Sequence, residues 1–150
     1  MADVAVRSAR IAEADAVLAC YEWLFAPPGS RPPMWDEPAA RSRLAAVIDS
    51  DRAEVFVADV DDRVAGFVTV YDDMDSVRFG RRAWVEDLAV DPDSRSQGLG
   101  KALLDEAKDW ARGKGASHLE LDSSEARPDA HRFYDREEPT WRSICFGWVL

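Results

Sequence analysis

The spacing of apolar residues divides the chain into a succession of short elements. Asp3 to Arg7 reads as a brief first strand. From Ile11 onward, Ile11, Ala14, Leu18, Tyr21 and Phe25 recur at helical spacing, and Pro27-Pro28-Gly29 stops that helix. The loop APPGSRPPMW follows, stiff with proline and carrying Trp35. Asp36 suits an N-cap, with Pro38 in the first turn, where a missing N–H does no harm; a second helix then runs to about Asp49. Glu54 to Val60, Arg63 to Tyr71 and Arg82 to Val90 read as strands, the first two closed into an antiparallel hairpin by Asp61-Asp62. The acidic runs Asp59 to Asp62 and Tyr71 to Asp75 read as solvated hairpin turns. Leu99, Leu103, Ala107 and Ala111, flanked by Leu104 and Trp110, make the apolar stripe of a helix ended by Gly113 and Gly115. His118 to Asp122 is a short strand, Asp129 to Arg136 a short helix, and Ile144 to Leu150 a final strand. The order β-α-α-β-β-β-α-β-α-β predicts a mixed α/β chain whose sheet is not all parallel.

Composition narrows this picture only a little. A chain of 150 residues with 47 % apolar content can bury a core without staples, and it reads as one domain, 1–150. Cys20 and Cys145 lie far apart with no ligand spacing and read as buried, reduced thiols; His118 and His131 lack metal spacing too, so no metal is expected. The N-terminus has no apolar targeting core and no run reaches spanning length, which predicts a cytoplasmic protein without membrane contact. The formal charge of -10 disfavours nucleic acid as a partner and weakly favours cationic small molecules.

One stretch carries specific chemistry: VEDLAVDPDSRSQGLGKALL, Val85 to Leu104. An apolar strand runs through an Asp-Pro turn into a loop with Gly98 and Gly100, then directly into a helix. The first turn of a helix presents unpaired N–H groups and a positive dipole end, so this is a candidate anion site. The known phosphate loops do not fit. A Walker loop needs an earlier glycine where Arg95 stands and a Ser or Thr where Ala102 stands. The dinucleotide and kinase fingerprints need a third glycine where Leu103 stands. What remains is R-x-x-G-x-G, from Arg95, Gly98 and Gly100.

With its preceding strand and following helix, this segment resembles the acetyl-CoA-binding segment of the GNAT superfamily of N-acetyltransferases. The likeness extends over most of the chain, including the β-α-α start, the three-strand meander, the strand LELD and the late helix AHRFYDRE. The resemblance implies a mostly antiparallel sheet flanked by helices, with the fourth and fifth strands splayed. It implies acetyl-CoA as co-substrate, its pyrophosphate wrapped by backbone N–H groups of Arg95, Ser96, Gln97, Gly98, Leu99, Gly100 and Lys101, with charge added by Arg95 and Lys101. A Cβ at Gly98 or Gly100 would hold the phosphates off. The pantetheine arm would lie along Leu88, Ala89 and Val90, with an N–H near Leu88 facing the thioester oxygen. Many members use a carboxylate near this position as general base. Glu86 is the first candidate and Asp87 the second. Strand alternation puts Glu86, Leu88 and Val90 on one face and Asp87 and Ala89 on the other. Tyr134, in HRFYDRE, matches the tyrosine that protonates the coenzyme A sulfur, and Phe133 beside it suits anchoring. The G-F usual after that tyrosine is replaced by Glu137-Glu138-Pro139-Thr140, and an asparagine often found a turn earlier is Arg127, which reads as a surface arginine.

The acceptor would meet the loop between the first two helices and the last strands. Phe25, Trp35, Trp141 and Trp148 are candidates for an aromatic wall, with Glu86 and Asp87 able to hold an amine. This predicts a small primary amine: a polyamine, an amino sugar or an amino-acid derivative. The alternatives are acetylation of protein or peptide amines, and a non-catalytic acyl-CoA sensor. A sticky edge at Ile144 to Leu150 predicts a homodimer.

Overall fold

The computed structural model describes residues 3–150. Its centre is a five-stranded sheet in the order β1-β2-β3-β4-β5, formed by Val4–Ser8, Ala53–Val60, Arg63–Ser76, Gly80–Val90 and His118–Glu120. The first four pair antiparallel and β5 runs parallel to β4. The Asp61-Asp62 connection is a two-residue turn with both residues at positive φ, the geometry that matches the twist of a tight hairpin. The acidic residues Tyr71 to Asp75 are not a turn. They extend β3, where Asp72 pairs with Arg81, Asp73 with Arg82, and Asp75 lies opposite Arg81 in register. Cross-strand arginines supply the countercharge that lets a run of acids stay in a ladder.

Alternation along β2 sorts the core into two layers. Phe56, Ala58 and Val60 face the helix α4 (Leu99–Gly113), meeting Leu99, Leu103 and Ala107. Val55 and Val57 face the other side, where they meet Val17, Leu18 and Leu44 from α1 (Ala14–Cys20) and α3 (Glu37–Ile48). Asp36 caps α3 as expected, its carboxylate accepting from the Ala39 N–H at 3.1 Å.

The first helix is not continuous. Ile11–Glu13 is a single tight turn with Ile11 exposed, and α1 ends before α2 (Glu22–Phe25) resumes beyond Tyr21. Tyr21, between them, keeps helical backbone angles and packs on the sheet, its ring 4.9 Å from that of Phe67. The helix α5 (Pro128–Arg136) bridges the two layers: Phe133 lies against Gly100 in α4, and Arg127 donates to the Leu24 carbonyl of α2 at 2.7 Å. Arg127 is therefore a clamp between elements rather than a plain surface side chain.

The expected final strand is absent. Ile144 to Leu150 forms no ladder and lies exposed, since no strand stands beside it to accept its hydrogen bonds. Cys145, on this tail, is exposed instead of buried; Cys20 is buried in α1. Among the described residues no helix is long and apolar enough to cross a membrane.

Candidate active site

The site forms where β4 loses one neighbour and slips against the other. Thr69 of β3 pairs with Asp87, but Val70 pairs with Val85, so Glu86 has no residue opposite it. Such a bulge breaks the two-residue period of a strand. Val85, Leu88 and Val90 all pack with the α4 layer, whereas Asp87 and Ala89 face α1 and α3. Glu86 joins Trp84 in a cleft on that second side, so the two acids expected on opposite faces point to the same one. Simple alternation cannot anticipate this, because the extra residue is set by pairing between strands.

The two carboxylates have unlike surroundings. Glu86 is exposed in an open cleft of about 780 Å³ lined also by Val47, Arg52, Tyr71 and Asp72, and it accepts from Trp84 Nε1 at 2.6 Å. Asp87 is partly buried beside a smaller cavity of about 200 Å³. It accepts a hydrogen bond from the Tyr21 hydroxyl at 2.7 Å, and its backbone N–H donates to Thr69 Oγ1 at 3.0 Å. Desolvation pushes the Asp87 carboxyl up to about 6; the Tyr21 hydrogen bond opposes that rise, and the charges of Glu86 and Asp122 add to it. A carboxylate poised there can take a proton near neutral pH.

Strand β5 stays with β4 for only three pairs, ending at Trp84 and Glu120. Beyond them the β4 edge is open, which is the splay the sequence implied. The Asp87 and Asp91 amides both donate toward β3. Successive amides of an extended strand point to opposite edges, so the Leu88 and Val90 N–H groups face the opening.

The loop beyond β4 is pinned at its entrance. The Asp91 amide donates to Ala65 O at 2.8 Å, and Arg63 contacts Asp91 at 2.6 Å and Ser94 Oγ at 3.3 Å. Past this clasp, the backbone N–H groups from Arg95 to Lys101 have no protein acceptor among the described residues; the helical ladder begins with Ala102 N–H to Gly98 O. Arg95, Ser96, Gln97 and Gly98 are exposed, and Ser96 and Gly98 take positive φ, +64 and +78. Alternation of left-handed and ordinary residues turns successive amides inward into an anion-binding nest. These free donors fit a diphosphate.

The two glycines serve different ends. A Cβ on Gly98 would meet nothing within 4 Å, so its requirement is backbone conformation. A Cβ on Gly100 would meet Phe133 at 3.3 Å, so packing of α5 on α4 also constrains this position. Lys101 is engaged by Asp105 at 2.9 Å and Glu137 at 3.3 Å. Arg95 has no ion-pair partner among the described residues.

Tyr134 lies behind Phe133, the rings T-shaped at 5.0 Å. Burial pushes its hydroxyl up to about 12, with Arg127 pulling down and Asp122 pushing further up. The charge of Asp122, just past β5, pushes both the Tyr134 hydroxyl and the Asp87 carboxyl upward.

Of the expected aromatic wall, the fold assembles half. Phe25 and Trp35 meet edge to face at 4.8 Å, and Tyr21 joins them, 5.9 Å from Trp35 and 6.4 Å from Phe25. Trp141 instead stacks on Phe79 at 5.7 Å, and Trp148 is exposed, because the tail that carries them forms no strand. The spacing argument missed Tyr21, Thr69 and Asp122. Tyr21 was legible only as part of an apolar stripe, although a buried phenol usually needs a partner for its hydroxyl. Thr69 and Asp122 carried no local signal.

The pattern of the acetyltransferase (GNAT) family matches residues 17–137. An uncharacterized N-acetyltransferase, YhdJ, of Bacillus subtilis is 48 % identical over 59 residues, 39 % of this chain and 42 % of that protein. The aminoalkylphosphonate N-acetyltransferase of Salmonella typhimurium is 45 % identical over 53 residues, 35 % of this chain and 34 % of that protein. The matches thus span less than half the length of these two curated relatives. Among solved structures, the aminoglycoside N-acetyltransferase AAC(6')-Iy in complex with CoA superposes with a TM-score of 0.80 at 18 % identity, covering 100 % of this chain and 97 % of that one.

Proposed function

Because the chain belongs to the acetyltransferase (GNAT) family, we propose that it moves an acetyl group from acetyl-CoA to a primary amine of a small cationic molecule. The observation that carries this reading is the run of free amides from Arg95 to Lys101, continuous with a strand edge that opens at Leu88. The solved relative with CoA and the aminoalkylphosphonate-acetylating relative support it.

Bound acetyl-CoA would supply a thioester whose C–S bond breaks as the C–N bond to the amine forms. The chain's own groups then have three tasks. An amine of pKa ~10.4 arrives as an ammonium and must lose a proton before it can attack. Glu86, in the open cleft, attracts the cation, and Asp87, beside the adjoining smaller cavity, takes the proton. The Leu88 N–H donates to the carbonyl oxygen as negative charge builds there. Tyr134, kept protonated by burial, donates to the sulfur as it leaves. Overall two protons leave nitrogen: one ends on the thiol, the other reaches solvent through Asp87.

A small acceptor is supported by the scale of the cavity beside Asp87, about 200 Å³, closed on one side by Tyr21 and Trp35. The test is release of free thiol from acetyl-CoA against a panel of polyamines, amino sugars, aminoalkylphosphonates, amino-acid derivatives and lysine peptides. Turnover confined to small amines is expected. Turnover with peptides alone would reassign the acceptor, and tight CoA binding without turnover on any amine would favour a sensor.

A further inference from the structure

Among the described residues, Tyr21 is the side chain outside the strands that hydrogen-bonds to a carboxylate of the bulge. It stands between α1 and α2 with helical backbone angles, on the face that packs with Leu18 and Phe67. Its ring is fixed between Phe67 at 4.9 Å and Trp35 at 5.9 Å, and its hydroxyl donates to Asp87 Oδ2 at 2.7 Å. On the other side, Thr69 Oγ1 accepts from the Asp87 amide at 3.0 Å, filling the backbone bond that the bulge leaves unmade. Thr69 is buried to 2 % exposure. Asp87 is thus held at its main chain by β3 and at one carboxylate oxygen by the helical layer.

Resting on the acetyl-transfer reading above, we propose that Tyr21 is a positioning residue. Its hydroxyl holds one oxygen of Asp87 in the ionised form and leaves the other oxygen free to receive the proton of the acceptor amine.

The charges around Asp87 make this hold necessary. Glu86 on its own strand and Asp122 beyond β5 both oppose its ionisation, and burial opposes it more than either. Tyr71 of β3 and Arg43 of α3 line the same cavity. Tyr21 supplies the specific donor that favours the carboxylate. Its own ionisation is suppressed by burial and then by the charge of Asp87, so it stays a donor throughout the working range.

Tyr21→Phe removes the hydroxyl and keeps the ring that packs on Phe67 and Trp35, so folding should survive. Two readouts test the proposal. The first is the acid limb of kcat/KM, expected near pH 6 in the parent protein and about one pH unit higher in the variant. The second is the titration of the Asp87 carboxyl by ¹³C NMR, which needs no turnover and should shift upward by the same amount. CoA affinity, read by calorimetry, should stay unchanged. An Asp87 titration that does not move on loss of the hydroxyl overturns the proposal whether or not an acceptor is known. A titration that moves while the acid limb stays fixed assigns the base elsewhere and overturns it too. A parent protein without turnover on any amine overturns the transferase reading and, with it, this positioning role, but leaves the NMR shift as evidence of the hydrogen bond alone.

Discussion

The loop from Arg95 to Lys101 and the bulge at Glu86-Asp87 lie at the two ends of one strand-to-helix segment, and they offer opposite kinds of chemistry. The loop presents main-chain N–H groups without protein acceptors among the described residues, those of Arg95 to Gly98 on exposed residues, on a backbone pinned at its entrance. The bulge presents side-chain carboxylates, one of them partly buried and hydrogen-bonded on two sides. Main-chain donors are carried by every residue type except proline, so the loop is specified by conformation and depends on few side chains. The carboxylate site depends on atoms that a single substitution removes. The loop is expected to tolerate most changes that keep its φ angles, and the bulge almost none.

The sharpest way to break this contrast is Asp87→Asn. It keeps the shape and the contact from Tyr21 but cannot take a proton. A fall in kcat/KM of about 10²- to 10⁴-fold is expected, with CoA affinity unchanged, by steady-state kinetics and calorimetry. Stability should change the other way. The folded Asp87 holds its proton to about pH 6, against 3.8 for an ordinary Asp, so ionising it disfavours the fold. The parent protein therefore loses stability from this group as pH rises from 3.8 through 6. Asp87→Asn should melt no lower than the parent at pH 7, and a marked drop would count against the assigned burial cost.

Next in size is Tyr134→Phe, expected to lower kcat by about 10- to 100-fold while CoA still binds. Unchanged turnover would remove Tyr134 from the reaction. Gly98→Val tests the loop itself. A β-branched residue is strained at φ +78, so the nest should distort and CoA affinity should fall about tenfold or more. Ser96→Ala, which changes a side chain and spares its amide, should leave affinity within about twofold.

The smallest effect separates the two glycines. Gly98→Ala should destabilise by about 1–2 kcal/mol, since the strain of a left-handed residue has no compensation. Gly100→Ala should lie within about 1 kcal/mol of the parent, because better helix propensity offsets the closer contact with Phe133. Thermal melts of the pair read the difference directly.

The elements that a short window of sequence can specify were legible. The cap at Asp36, the hairpin at Asp61-Asp62, the stripe of α4 and the glycine loop each rest on local backbone preference or periodicity. The errors fall where a distant partner decides. Tyr71 to Asp75 is a strand because Arg81 and Arg82 neutralise it from β4. Ile144 to Leu150 has the composition of a strand and no strand beside it. Glu86 and Asp87 share a face because one residue of β4 has no counterpart in β3.

The sequence by itself therefore carried the family pattern and the glycine loop, and it pointed to Glu86, Asp87 and Tyr134 as candidates, since local geometry and residue type suffice for these. Only the tertiary structure decided which carboxylate is buried, that Tyr21 reaches it, and that Trp141 stacks on Phe79 while Trp148 is exposed. Register, burial and pKa are properties of contacts between segments far apart in the chain, and periodicity within one segment holds no record of them.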